Sequence, residues 1–249
     1  MKNFIFLKKS LEGREKGWRK IALWPLTFLF LISVEGIGPT PGECATLSQE
    51  EVVAKVQEQY DRHSNFKAHF VQESWIKSLG RKQTAEGLVF FKKPGGMRWT
   101  YQKPAKQEII SDGQTLWQYR PDDNQVVVSK TSQAFESKTP STFLMGIGNL
   151  KQDFQGRFVK EPSPGADYTL ELTPLETQGS MEKLFLTVDR KTFKILQAKI
   201  QDVMGNITQI SFSKIQFDTS LPDDLFTFTP PKGVEVFNMP GAAEGGTGK

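Results

Sequence analysis

Zinc sites and Cys/His nucleophiles are built from histidine and cysteine, and this 249-residue chain carries only His63, His69 and Cys44. A catalytic Cys/His pair or a zinc constellation needs more such groups than a domain beginning after Cys44 would retain. The sequence also lacks a Gly-x-Ser-x-Gly elbow, a phosphate-binding P-loop and a dinucleotide fingerprint. Carboxylates are plentiful, so a paired-carboxylate hydrolase is the one enzymatic reading left open. His63, near the end of the first helical pattern, suits a partner for that helix's C-terminal dipole. No enzyme, cofactor or metal is expected.

The other residues able to do something specific are large and apolar. Trp99, Tyr101, Trp117 and Tyr119 fall in two short alternating runs, with an Asp112-Gly113 hairpin signal between Ile109-Ile110-Ser111 and Thr115-Leu116-Trp117. Within each run the rings are two residues apart, which puts each tryptophan on the face of its tyrosine neighbour. One face of an antiparallel sheet is expected to be rich in aromatics, either as plain core or as the wall of an apolar cavity.

The elements that position these rings follow from periodicity. Ser48 with Glu51 forms a capping box, and Val52, Val56 and Tyr60 recur every four residues, predicting a helix over 48–62. Strands are predicted at about 65–75, 83–92, 97–102, 107–111, 115–119, 124–130, 157–161, 167–174, 182–189, 194–202 and 206–216. Their separators are turn chemistry: Gly95-Gly96, Pro104, Asp112-Gly113, Pro121 to Asn124, Asp189-Arg190 and Gly205-Asn206. With no long crossover helix, the sheet should be antiparallel, and so many sequential strands must curl or split. Between Ser132 and Phe154 the alternation stops. The apolar run Thr142 to Ile147 reads as a short helix, either a buried connection or a cover over the open side of the sheet.

A basic stretch ending at Lys20 precedes 14 mostly apolar residues, Ile21 to Val34, too short for the roughly 20 of a membrane span. Residues 1–45 are therefore expected to be a cleaved export signal, with an uncleaved anchor as the alternative. Lipid attachment at Cys44 would need a small residue before it, and Glu43 is there. Residues 46–238 then form one domain, and 239–249 a flexible tail. The leader holds seven basic and four acidic residues, leaving 25 basic and 24 acidic in the remainder. A near-neutral domain lacks the basic excess that nucleic acid requires.

Five segments carry a resemblance in order. They are Phe66-Lys67-Ala68-His69-Phe70-Val71-Gln72; Lys93-Pro94; Arg98-Trp99-Thr100-Tyr101; Ile109 to Gly113 leading to Leu116-Trp117-Gln118-Tyr119; and Phe226 to Val234. Together, over about 48–237, they resemble the outer-membrane lipoprotein carrier family, the LolA-type periplasmic chaperones. The resemblance implies a mainly β fold: a half-open antiparallel barrel, here of about eleven strands, with an N-terminal helix and a short lid helix over its mouth. It implies a monomer in the periplasm whose interior takes the acyl chains of lipoproteins. Such a carrier receives them from an inner-membrane ABC release complex and passes them to an outer-membrane lipoprotein receptor.

By the same resemblance, Val56, Tyr60, Met97 near the mouth, Trp99, Trp117 and the lid residues Phe143, Leu144 and Met145 would form the cavity. The family has an arginine before the proline that holds the lid shut; here it is Lys93, which lacks the planar fork, so closure would be weaker or would use Arg98. The competing readings are a lipid- or lipoprotein-sensing regulatory module and a carrier for another lipid or glycolipid.

Overall fold

The computed structural model describes residues 47–134, 149–176 and 181–239. The expected leader, Phe143, Leu144 and Met145, and all of the expected tail except Met239 lie outside the described residues. No described helix is long and apolar enough to cross a membrane.

Helix α1 (Gln49–Asp61) starts where its capping box requires: Ser48 Oγ accepts from the Glu51 amide at 3.2 Å, and Glu51 Oε2 accepts from the Ser48 amide at 2.7 Å. Strands β1 (Asn65–Ile76), β2 (Arg81–Lys92), β3 (Gly96–Lys103), β4 (Gln107–Asp112), β5 (Thr115–Arg120) and β6 (Gln125–Lys130) follow as hairpins. Two short helices, α2 (Thr131–Ala134) and α3 (Leu150–Asp153), lie on the way to the second run. That run comprises β7 (Phe154–Phe158), β8 (Tyr168–Pro174), β9 (Met181–Val188), β10 (Ile195–Asp202) and β11 (Ile207–Phe217). A final strand, β12 (Glu235–Asn238), ends the described chain.

All twelve strands form one sheet, ordered β12-β6-β5-β4-β3-β2-β1-β11-β10-β9-β8-β7. The two runs are zipped together where β11 pairs with β1, and β12 and β7 are left as edges, so the sheet is unclosed. One pairing departs from the expected antiparallel pattern: β12 runs parallel to β6, placed by the main-chain bond from the Glu235 amide to Asn124 O at 3.0 Å and by Asn124 Nδ2 donating to Gly233 O at 2.7 Å. The twelfth strand was not expected, because all four of its residues are exposed and carry no burial period.

At the expected Asp112-Gly113 turn, Asp112 Oδ1 accepts from the amides of Gln114 and Thr115, and Gly113 takes φ +95°. The β2–β3 turn backs onto it so closely that a Cβ on Gly95 would lie 2.6 Å from Gly113 Cα. Only glycine allows that approach.

The inner face of the sheet is covered, and so is part of the outer one. Alternation puts Phe66, Ala68, Phe70, Val89, Phe91, Met97, Trp99, Leu184, Leu186, Leu170 and Leu172 on one face, where α1 adds Val52, Val53, Val56 and Tyr60 to a single core. On the other face of β3 to β6, the segment after β11 lies across the sheet, with a 3-10 turn (Asp223–Phe226) that buries Phe226.

Candidate functional site

The inner face is built from strands of both runs, and its centre is aromatic. Trp99 meets Phe70 edge-on at 4.7 Å and Phe91 at 6.1 Å, while Phe70 also meets Tyr101 at 5.0 Å. Phe66 stacks on Phe91 at 4.8 Å. These rings come together because register sets them opposite one another: Phe66 faces Phe91, and Val89 faces Trp99. Tyr101, half-buried, donates its hydroxyl to Gln72 Oε1 at 3.0 Å, and burial pushes its phenol up to about 12.

Helix α1 covers this face through Val52, Val53, Val56 and Tyr60; Gln57 Oε1 accepts from the Leu150 amide at 3.0 Å, and further polar attachments lie at its C-terminal end. The Tyr60 ring sits edge-on to Phe66 and Phe217, and its hydroxyl oxygen accepts from the Ile195 amide at 3.2 Å. Burial raises the Tyr60 phenol well above its ordinary value. Lys93 Nζ donates to Tyr60 O at 2.7 Å and Asp61 O at 3.1 Å, two carbonyls in the last turn of a helix with no basic residue of its own there. The dipole partner expected of His63 is therefore supplied by Lys93. His63 instead pairs through Nδ1 with Asp218 at 2.5 Å and stacks on Phe217.

Two clefts undercut the helix. One of about 770 Å³, flanked by Lys55, Arg62 and Lys194, has Phe193 and Phe217 in its lining. The other, about 240 Å³, lies at the N-terminal end between Val53, Phe154 and Gly156.

Val56, Tyr60, Met97 and Trp99 are brought together in one core, all at most 6% exposed. Met97 is 2% exposed, so it belongs to the core and not to a mouth. Trp117 is elsewhere. Trp99 pairs with Ile109, whereas Trp117 pairs with Ile110, so the two tryptophans occupy opposite faces. Tyr119 follows Trp117 to the outer face and packs on Phe228 of the C-terminal segment at 5.1 Å. Arg98 is on that outer face too, donating to Leu225 O at 3.0 Å and pairing with Glu108 at 2.6 Å. It fastens the C-terminal segment, in parallel with Lys92, which donates to Leu221 O and Asp223. Of the two closure candidates, Lys93 alone touches α1.

Sequence reasoning passed over Phe66, Phe70, Phe91, Phe212 and Phe217 as site residues. The first two were visible in the Phe66-Ala68-Phe70 alternation; the rest depend on pairings between distant strands.

Among the described residues no group of three or more His, Cys, Asp or Glu could hold a metal ion. The arrangement is an aromatic face closed by a helix that packs on it through Val52, Val53, Val56 and Tyr60, with a large, mostly polar-lined cleft and a smaller one beside that helix.

A family model described as outer membrane lipoprotein carrier protein LolA matches residues 61–229. An outer-membrane lipoprotein carrier protein of Nitrosomonas europaea is 34% identical over 171 residues, covering 69% of this chain and 81% of its own length. One of Neisseria meningitidis serogroup B is 33% identical over 165 residues, covering 66% and 76% respectively. Among solved structures, a LolA superfamily protein from Nitrosomonas europaea is 17% identical and covers 74% of this chain and 99% of its own, with a TM-score of 0.42.

Proposed function

This chain belongs to the LolA family of outer-membrane lipoprotein carrier proteins, a family of carriers and not of enzymes, and from that membership we propose that it is a periplasmic carrier whose cargo's acyl chains lie between α1 and the inner face of the sheet. It takes a lipoprotein from an inner-membrane release complex and passes it to an outer-membrane receptor. The observation that carries this reading is the aromatic inner face around Trp99, roofed by a helix flanked by two clefts, whose C-terminal carbonyls Lys93 holds.

Energetics favour a displaceable roof. One acyl chain of roughly 15 methylenes is worth on the order of 12 kcal/mol when fully buried, at about 0.8 kcal/mol each. Three would pass the practical ceiling of about 18–21 kcal/mol for non-covalent binding, and such a carrier could not let go. Lifting Val52, Val53, Val56 and Tyr60 off the sheet costs about 6–12 kcal/mol at about 1.5–3 each, the worth of up to one chain. With the chains only partly buried as well, this offset brings net affinity between that of donor and acceptor, so transfer runs down an affinity gradient and asks for no nucleotide.

Native mass spectrometry of the protein purified from periplasm tests this. The expected result is a one-to-one complex with an acylated lipoprotein that dissociates on addition of the outer-membrane receptor. A bound free lipid with no lipoprotein would instead identify a general lipid carrier or sensor.

A further inference from the structure

Four strands run on beyond the core. On β1 the last buried side chain is Phe70, yet β1 and β2 stay paired out to Ile76 and Arg81, and no residue of 72–76 or 81–84 is buried. Six residues beyond Phe70 at about 3.3 Å each make a projection of roughly 20 Å. The neighbouring β10–β11 hairpin does the same past Ala198 and Ile210. The two tips are joined: the Lys77 amide donates to Asn206 Oδ1 at 3.0 Å, and the Lys77 side chain lies against Gly205.

The tips carry what a soluble surface avoids. Leu79 is 63% exposed, Val203 67%, Met204 73%, and Trp75 on the adjoining strand 41%. Lys77 and Arg81 sit among them, exposed and ion-paired to nothing among the described residues. Lys82 is neutralised by Glu73 at 2.6 Å, and Asp202 is used within its own turn by Asn206 and the Met204 amide. Counting Lys77, Arg81 and Lys82 against Glu73 and Asp202, the tip keeps a net charge of +1, and its two cations without an ion-pair partner among the described residues sit among four apolar side chains.

We propose that these twin tips are a membrane-contact site, with Leu79, Val203 and Met204 entering the headgroup boundary of an anionic phospholipid bilayer, Trp75 at the interface and Lys77 and Arg81 on the lipid phosphates. Tryptophan beside cations and aliphatic side chains is the interfacial combination. The cations answer a negative membrane surface. The site lies on a different part of the sheet from the acyl-binding face and does not depend on the cargo reading.

Hydrogen exchange of the full chain, with and without phosphatidylethanolamine vesicles containing a minority of phosphatidylglycerol, reads the tips separately from the rest. Amides of 76–82 and 202–206 should slow several-fold with these vesicles and much less with pure phosphatidylcholine. The double variant Leu79→Ser, Met204→Ser should lose the effect, and Lys77→Gln with Arg81→Gln should raise the lipid concentration needed for half of it roughly 30-fold. These positions are exposed, so the variants fold. Unchanged exchange at both tips would overturn the proposal, as would slowing that requires membrane protein and not lipid alone.

Discussion

Replacing Lys93 with alanine should loosen the roof without loosening the sheet. Lys93 Nζ makes two hydrogen bonds to the last-turn carbonyls of α1, at 2.7 and 3.1 Å. Hydrogen bonds to a charged group contribute about 1.5–3 kcal/mol, and a cation at a helix C-terminus about 0.3–1 kcal/mol. Lys93 is only partly buried, so solvent screening places the loss near the lower end, about 1.5–2 kcal/mol. That is roughly a 10- to 30-fold shift in the equilibrium between seated and lifted helix. Hydrogen exchange reads it directly: amides of Val56 to Tyr60 should exchange about 10 to 30 times faster, while those of Leu184 and Leu186 in β9 stay as they were. Lys93→Arg should restore protection, because its fork can reach both carbonyls. Acceleration of less than about twofold in α1, or an equal acceleration in β9, would refute the idea that Lys93 fastens the helix specifically.

Met97→Glu puts a carboxylate at a 2%-exposed position with no partner, and should destabilise the fold by several kcal/mol, whereas Met97→Leu should cost under about 1.5 kcal/mol; urea midpoints check both. Gly87→Ala would place a Cβ 2.0 Å from Thr100 O and 3.0 Å from the Phe70 ring, so the β2–β3 pairing must shift, with an expected loss of at least ~1–3 kcal/mol in the same titration. Asp218 is held below the usual carboxylate range, first by its hydrogen bond with His63 and then by the Ser64 amide. Because its folded value is the lower one, its stabilisation is complete above the unfolded pKa of about 3.9 and is lost as pH falls below that. Asp218→Asn should therefore flatten the acid limb of a thermal-midpoint curve below about pH 4; identical limbs there would contradict this.

Local chemistry was legible in the sequence, and long-range register was not. The Ser48–Glu51 box and the spacing of Val52, Val56 and Tyr60 marked α1 to within a residue, since both signals lie within the helix itself. The Asp112-Gly113 turn was equally local. Counting outward from that turn through Ser111–Leu116 to Ile110–Trp117 would already have placed Trp117 with Ile110. Placing Trp99 required the register across the Pro104 loop, where Tyr101 pairs with Gln107, and no residue pattern states it. Strand β7 begins at Phe154 instead of 157, because Phe154, Gly156 and Phe158 face inward through pairing with Pro174, Leu172 and Leu170. Lys93 was singled out for its place before a proline, but its partners lie more than thirty residues earlier in the chain.

Tyr101 and Tyr119 offer the most direct test of where cargo sits, being half-buried tyrosines on opposite faces of one sheet. A photo-reactive benzoylphenylalanine at each position in turn, followed by irradiation in cells and mass analysis, reads the face that cargo touches. Crosslinks to lipoprotein acyl chains at position 101 and none at 119 are expected. Crosslinking at 119 with none at 101 would contradict an acyl-binding interior beneath α1.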